Sequence, residues 1–223
     1  IMFIHEKIEI GYDDLVVENG ANGRRYLSPE GNKYPSITTV LGVLSKAGIA
    51  AWRARVGDEE ANKISHRAST RGTAVHDIVE KYLDNEELPE VLPHITASLS
   101  NLKPSLSRIG RIFAQESPLY SKHLGVAGRV DCVGEYDGVP SIIDFKTSKK
   151  IKKKEWITSY FMQAAAYAIM WEERTGMPIT NLVIIMDVDN ESPQIYVEHR
   201  DNWTEKLFET IELYHKEQRQ RPL

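Results

Sequence analysis

The sequence predicts one α/β or α+β domain in which a mixed β-sheet is flanked by helices. Three observations support this prediction: helical spacing of apolar residues in the first half, a strong hairpin signal in the middle, and a helix–strand–strand–helix order after it. The 223 residues are enough for one substantial core and too few for two. We therefore expect a single domain over residues 1–223, with residues 1–35 as an irregular or β extension packed on it.

Beyond that extension, the sequence predicts mainly helices in the first half of the chain. Turn signals at Asn19-Gly20 and Asn22-Gly23 divide the extension, and Pro35-Ser36 begins the first helix. Apolar residues at helical spacing then predict helices over residues 36–48, 50–55 and 72–83, and another through Ile109, Ile112 and Phe113.

A hairpin signal stands at the centre of the chain. Residues 126–136 and 139–145 are rich in β-forming residues and are joined by Asp137-Gly138, which favours a two-residue turn. Facing residues then have numbers that sum to 275, so Asp131 faces Asp144. The remaining sequence predicts a helix over 156–175, strands over 182–188 and 194–197, and a helix over 203–218.

Two facing aspartates are unfavourable unless a cation lies between them. Their Cβ atoms would be roughly 5 Å apart, where like charges destabilise a sheet. Mg²⁺ or Mn²⁺ prefers such oxygen ligands and leaves room for a phosphate. The two-residue period of strands adds Arg129 and Lys146 to the same face, and Lys146 could orient a water or neutralise developing charge. The alternative is a solvated hairpin face with mixed charges, and Pro140 could introduce a bulge that changes the register.

Further candidates lie on the flanking elements. His76 is a possible metal ligand with Glu80 one helical turn later, although a single helical histidine is more often structural. Gln163 and Tyr167 share a helix face and could contact a nucleic-acid strand or Lys146, or simply pack in the core. Glu116 is either a further acidic group of the site or a surface residue.

A lysine-rich segment follows Lys146. Lysines at 149, 150 and 152–154 suit a solvated loop, or a surface that attracts a phosphate backbone if a metal lies nearby. Trp156, Tyr160 and Phe161 come next and could stack on bases or belong to the core.

Composition limits the classes of function. The net charge of −4 argues against a protein that coats nucleic acid by bulk charge, but is compatible with a locally basic cleft. No apolar run approaches the ~18–20 residues of a membrane span, so we expect no membrane partner. The single cysteine, Cys132, cannot form a disulfide or a four-cysteine iron–sulfur site within the chain. We expect a cytoplasmic location in a bacterial or phage-infected cell, because no mitochondrial transit peptide is visible.

Five motifs stand in the order of a known family. They are Pro-Ser-Ile-Thr-Thr-Val-Leu (35–41), Gly-Thr-Ala-Val-His (72–76), Gly-Arg-Val-Asp (128–131), Ile-Ile-Asp-Phe-Lys-Thr-Ser (142–148) and Gln-x-x-x-Tyr (163–167). Over residues 34–215 the chain resembles RecB-type PD-(D/E)xK exonucleases, most closely in pattern the mitochondrial genome maintenance exonuclease group and its phage and bacterial relatives.

The resemblance implies a restriction-endonuclease-like core and metal-dependent hydrolysis of DNA, often from the ends of single strands. It assigns catalysis to Asp131, Asp144 and Lys146. It implies metal ligation by His76, Asp131, Asp144 and the backbone carbonyl of Phe145, with Mg²⁺ or Mn²⁺ as cofactor. Many RecB-like relatives hold an iron–sulfur cluster with four cysteines, and the single cysteine of this chain favours the branch without a cluster. The residues expected as accessory or DNA-binding are Gln163, Tyr167, Arg129, Thr147, Ser148, Lys149, Lys150 and Glu116.

The sequence therefore predicts a Mg²⁺- or Mn²⁺-dependent deoxyribonuclease, an exonuclease acting on single-stranded or frayed DNA in replication, repair or recombination. Replication or recombination proteins are possible partners. Two alternatives stay open: a non-catalytic nucleic-acid-binding module on a nuclease fold, and a structure-specific endonuclease.

Overall fold

The computed structural model describes residues 2–221, which form two sheets and six α-helices. The strands are β1 (Val16–Gly20), β2 (Gly23–Leu27), β3 (Lys33–Pro35), β4 (Ile109–Ser121), β5 (Val126–Tyr136), β6 (Val139–Ser148), β7 (Asn181–Val188) and β8 (Gln194–His199). The helices are α1 (Ile37–Leu41), α2 (Lys46–Val56), α3 (Asp58–Leu83), α4 (Pro93–Leu106), α5 (Thr158–Thr175) and α6 (Thr204–Gln220). Among the described residues, no helix combines the length and apolar character needed to cross a bilayer.

The central sheet is mixed, as predicted. Its strand order is β4-β5-β6-β7-β8, and only β6 and β7 run parallel. The connection between these two strands contains α5, because parallel neighbours need a long crossover. This arrangement confirms the predicted fold class of a mixed sheet flanked by helices.

Apolar clusters cover both faces of this sheet. One cluster joins the sheet to α1, α5 and α6 and includes the fully buried Phe161 and Trp171. The other joins it to α3 and α4 and includes Leu83, Leu102 and Ile143. Each face of the sheet therefore carries its own layer of helices.

The predicted hairpin register is confirmed. Tyr136 pairs with Val139 and Cys132 with Ile143, so the numbers sum to 275 throughout the paired stretch. Asp137 and Gly138 have φ of +49° and +79°, as a two-residue turn of this kind requires. Pro140 pairs with Glu135 without shifting the ladder.

The helix predicted through Ile109, Ile112 and Phe113 is wrong, because these residues belong to strand β4. Register shifts between Ile109 and Ile112, and between Ile112 and Ala114, break the two-residue alternation. The three apolar side chains are all buried, and their i, i+3, i+4 spacing imitates a helix only because the strand is irregular.

Several predicted boundaries also change. Helix α3 begins at Asp58 rather than near residue 72, and most of its added first half is exposed and polar, so it has little apolar periodicity. The first predicted helix, 36–48, divides into α1, a 3₁₀ turn at Gly42–Leu44 and the start of α2. In the expected extension, β1–β3 form a small sheet whose Tyr26 packs with Ala127 of β5.

Candidate metal centre

The site lies where β5 and β6 stop pairing. The pair farthest from the turn is Cys132 with Ile143. Asp131 and Asp144 are the next residues outward on the two strands, just beyond the paired stretch. Asp131 Oδ2 instead accepts a hydrogen bond of 2.9 Å from the backbone N–H of Phe145. The Asp144 side chain is 2% exposed and that of Asp131 14% exposed. The hairpin therefore brings both carboxylates to one place, with Asp131 held by the backbone of the neighbouring strand.

Helix α3 adds an imidazole to these carboxylates. His76 Nε2 lies 2.7 Å from Asp131 Oδ1 and 3.2 Å from Glu116 Oε1. Ligand atoms of His76, Glu80 and Glu116 all lie within 4.8 Å of one another. Sequence reasoning noted that Glu80 follows His76 by one turn but did not name it as a ligand. The i, i+4 spacing was the available signal.

Glu116 reaches this group from an irregular position in β4. Its neighbours pair with β5, Gln115 with Cys132 and Ser117 with Val130, so Glu116 stands opposite Asp131. Its φ is +46°, a strained value for a residue with a side chain. Arg129 Nη1 donates a 2.8 Å hydrogen bond to the Glu116 carbonyl, and Arg129 Nη2 lies 3.2 Å from Asp14. Arg129 thus contacts the backbone that presents Glu116.

Helix α5 supplies a hydrogen-bonded chain to Lys146. Lys146 Nζ donates to Gln163 Oε1 at 2.8 Å, and Gln163 Nε2 donates to the Tyr167 hydroxyl at 3.1 Å. Both α5 side chains are buried. Of the three readings of this pair, the structure shows contact with Lys146 and burial in the core, and contact with a nucleic-acid strand stays a prediction.

The glycine of the Gly-Arg-Val-Asp motif makes room for that chain. A Cβ on Gly128 would lie 2.8 Å from Tyr167 Cε1 and 3.2 Å from Ile37 Cγ2. Any side chain at residue 128 would therefore force the Tyr167 ring, which is bonded to Gln163, to shift.

The charges of the site shift its pKa values in a consistent pattern. Burial raises the pKa of Glu116 to about 7, and burial together with the Asp131 charge raises that of Asp144 to about 7. Burial opposes a charged His76, but contact with Asp131 and the charges of Glu116 and Asp144 raise its pKa to about 9. Burial likewise opposes a charged Asp131, yet His76 and Lys146 hold its pKa below the ordinary value.

The donor set fits a hard divalent cation. Within residues 2–221, the buried atoms Glu116 Oε1 and Asp144 Oδ2 have no hydrogen-bond partner. Each of these atoms lies near one cationic nitrogen, Glu116 Oε1 at 3.2 Å from His76 Nε2 and Asp144 Oδ2 at 2.9 Å from Lys146 Nζ, and each can accept further bonds. Buried, incompletely bonded carboxylates are costly, and a bound cation would satisfy them. Carboxylate oxygens are the ligands that suit Mg²⁺ or Mn²⁺, and the His76 imidazole is a softer donor beside them.

The other predicted residues lie around this group. Thr147 lines a cavity of about 330 Å³ together with His76, Phe145 and Lys146. Ser148 is buried and donates to the Lys150 carbonyl at 2.6 Å, while the side chains of Lys149 and Lys150 are exposed. Metal ligation by the Phe145 carbonyl stays a prediction.

The aromatic residues after the lysines have different environments. Phe161 is fully buried against Trp203, with ring centroids 4.7 Å apart, so it belongs to the core and not to a base-stacking surface. Trp156 is 64% exposed. Tyr160 lies beside the site, with its ring centroid 4.9 Å from Lys146 Nζ.

The mixed sheet brings Asp131, Asp144 and Lys146 together, which is the arrangement that the resemblance to RecB-like PD-(D/E)xK nucleases implies. Similarity to a curated protein supports this resemblance: the chain is 29% identical over 150 residues to human mitochondrial genome maintenance exonuclease 1. The aligned part covers 61% of this chain and 43% of that protein. The chain thus spans less than half the length of this relative. No family model matches the chain.

The chain is also similar, at low identity, to two proteins of known crystal structure. A candidate exonuclease from Eubacterium rectale has a TM-score of 0.44 and 14% identity, over 64% of each chain. The protein SSO0001 has a TM-score of 0.46 and 13% identity, over 83% of this chain and 76% of its own.

Proposed function

We propose that this protein is a Mg²⁺- or Mn²⁺-dependent deoxyribonuclease, an exonuclease that hydrolyses single-stranded or frayed DNA ends during replication, repair or recombination. The supporting observation is the convergence of His76, Glu116, Asp131 and Asp144 beside Lys146, where β5 and β6 separate. The name of the human relative is consistent with an exonuclease.

His76, Asp131 and Asp144 would hold the cation, with the Phe145 carbonyl as a further ligand and Glu116 next to them. When bound, a divalent cation supplies Lewis acidity toward a phosphodiester and makes a water more acidic. The chain's own contribution is to hold its ligands in place. Asp131 is fixed by the Phe145 N–H, and His76 by its place on the long helix α3.

Lys146 would act as a cation and not as a base. Burial opposes its charge, but Asp144 and Asp131 raise its pKa above the ordinary value, so it is protonated near neutral pH. Its ammonium can stabilise negative charge that develops on the phosphate oxygens. Gln163, held in turn by Tyr167, orients the ammonium.

A cleavage assay tests this function. End-labelled single- and double-stranded DNA is incubated with Mg²⁺ or Mn²⁺, with Asp144→Asn and Lys146→Ala proteins in parallel. We expect metal-dependent degradation by the wild type and none by either variant, while Lys216→Ala on the exposed side of α6 behaves as wild type. Wild-type activity in the Lys146→Ala protein would contradict the mechanism. Circular single-stranded DNA should stay intact, and its cleavage would indicate the endonuclease alternative.

A further inference from the structure

A second pocket lies beside the candidate site, between α3 and the start of α4. Its volume is about 390 Å³, within the range of small-ligand sites. Its apolar wall includes Ala74, Leu92 and Ile95. Thr147 lines both this pocket and the cavity that contains His76 and Lys146, so the two are adjacent.

The charged residues around this pocket are all basic. Arg67 from α3 and Lys149 from the end of β6 line it, and both side chains are exposed. Among the described residues that line the pocket, none is acidic, although the chain as a whole has a net charge of −4. Arg71 also lines it, but its guanidinium is already bound to Asp187 at 2.7 Å and to Asp189 at 2.5 Å. Arg67 and Lys149 are therefore the lysine and arginine side chains of the lining whose charge is not engaged in this way, and His66 and His94 line the pocket beside them.

An apolar wall with cations at its edge suits a flat, weakly polar ring that is attached to phosphates. A nucleotide within a single strand has this chemistry, since its base has an apolar face and its phosphates are anionic. A base that is paired in a duplex cannot turn into the pocket without breaking its pair, which costs free energy.

We propose that this pocket binds one unpaired base of the substrate strand, close to the bond that is cleaved at Lys146, with neighbouring phosphates against Arg67 and Lys149. This inference rests on the proposed nuclease function and adds a reason for a preference for single strands. Leu92 is 65% exposed, so it can contact a base from the solvent side and can be changed without opening the core.

Single-strand substrates with one abasic nucleotide, placed at each position in turn, test the pocket. We expect one position near the cleaved bond at which loss of the base lowers kcat/KM about tenfold, within the range for one bound base. In Leu92→Ala protein the intact strand should be cleaved several-fold more slowly, and the abasic penalty at that position should disappear. Val91→Ala, which changes an exposed apolar neighbour that does not line the pocket, should keep the wild-type penalty.

The basic edge gives a second readout. Arg67→Ala should lower kcat/KM and reduce its log–log dependence on salt by about 0.7, the value for one phosphate contact on a single strand. Lys63→Ala, one turn earlier on α3 and outside the pocket, should leave both unchanged. If the wild type cleaves no DNA, the proposed function itself fails. If it cleaves DNA but every abasic penalty is the same in wild type and Leu92→Ala, only the base pocket is refuted.

Discussion

Two polar clusters meet at Asp144, one on the side of α3 and one on the side of α5, and they differ in how completely their groups are bonded. The α3 cluster comprises His76, Glu80, Glu116 and Asp131, and within the described residues Glu116 Oε1 is buried without a hydrogen-bond partner. The α5 cluster comprises Lys146, Gln163 and Tyr167, joined by hydrogen bonds of 2.8 and 3.1 Å.

This difference separates two tasks. The α3 cluster brings together carboxylates whose charges repel one another. In the metal-free protein, the raised pKa of His76 favours a protonated imidazole, whose positive charge offsets part of this repulsion. A divalent cation carries more charge than one proton and would offset the repulsion among the carboxylates more completely, so we expect this cluster to bind one. The α5 cluster requires no ligand to complete it, and its effect is to hold the Lys146 ammonium in one position. Damage to one cluster should therefore reduce metal binding, and damage to the other should reduce turnover alone.

The largest effect is expected from the α3 cluster. His76→Ala removes the imidazole and should weaken Mn²⁺ binding and lower kcat/KM, each by about 100-fold or more, since even outer-shell changes cost 10–100-fold. Mn²⁺ binding is measured by electron paramagnetic resonance and cleavage by initial rates. His215→Ala, on the exposed side of α6, serves as the control. A His76→Ala protein that binds Mn²⁺ normally would remove the imidazole from the ligand set.

Gln163→Ala tests the α5 cluster. The change removes the amide oxygen to which the Lys146 ammonium donates, and should lower kcat about 30-fold, while Mn²⁺ affinity stays within twofold of wild type. Equal losses in metal affinity and kcat would show that the two clusters are not separate.

The pH dependence sharpens the same contrast. The pKa of His76 is raised from 6.5 to about 9, so its charged form stabilises the metal-free fold fully below pH 6.5, and this contribution is lost as the pH rises through 9. A metal ion must displace that proton. Mn²⁺ affinity, measured by calorimetry, should therefore rise about tenfold per pH unit between pH 7 and 9. Affinity that is constant over this interval would show that no proton is displaced.

The smallest effect on activity is expected from Gly128→Ala, which acts on Lys146 through two intermediate residues. The added methyl group overlaps the Tyr167 ring, so we expect a loss of about 1–3 kcal/mol in the free energy of unfolding and a several-fold fall in kcat. Gly48→Ala, where a Cβ meets open space within a helix, should not destabilise the protein. Wild-type stability of the Gly128→Ala protein would contradict the predicted close packing.

The sequence predicted the parts of this site that depend on short-range geometry. The Asp137-Gly138 turn defines the hairpin register and thus the meeting of Asp131 with Asp144. The i, i+4 spacing placed Gln163 and Tyr167 on one face of α5. The approach of His76 depends on how α3 packs against the sheet, which no local pattern encodes. Its residue type made His76 a candidate ligand, and the resemblance to a family strengthened that prediction.

Strand β4, and the way in which it presents the candidate Glu116, could not be predicted for a related reason. The register shifts in β4 break the alternation that identifies a strand, and its apolar residues then imitate a helix. The positive φ of Glu116 comes from the pairing of its neighbours with β5 and not from its own preference. Irregular strands conceal both their secondary structure and the side chains they present.

The most direct test compares Mn²⁺ binding in two variants, Asp131→Asn and Lys146→Ala, with DNA cleavage measured on the same samples. We predict that Asp131→Asn loses both Mn²⁺ binding and cleavage, whereas Lys146→Ala binds Mn²⁺ as well as wild type but does not cleave. If Asp131→Asn protein binds Mn²⁺ with wild-type affinity, the α3 cluster is not the metal site and the account is contradicted.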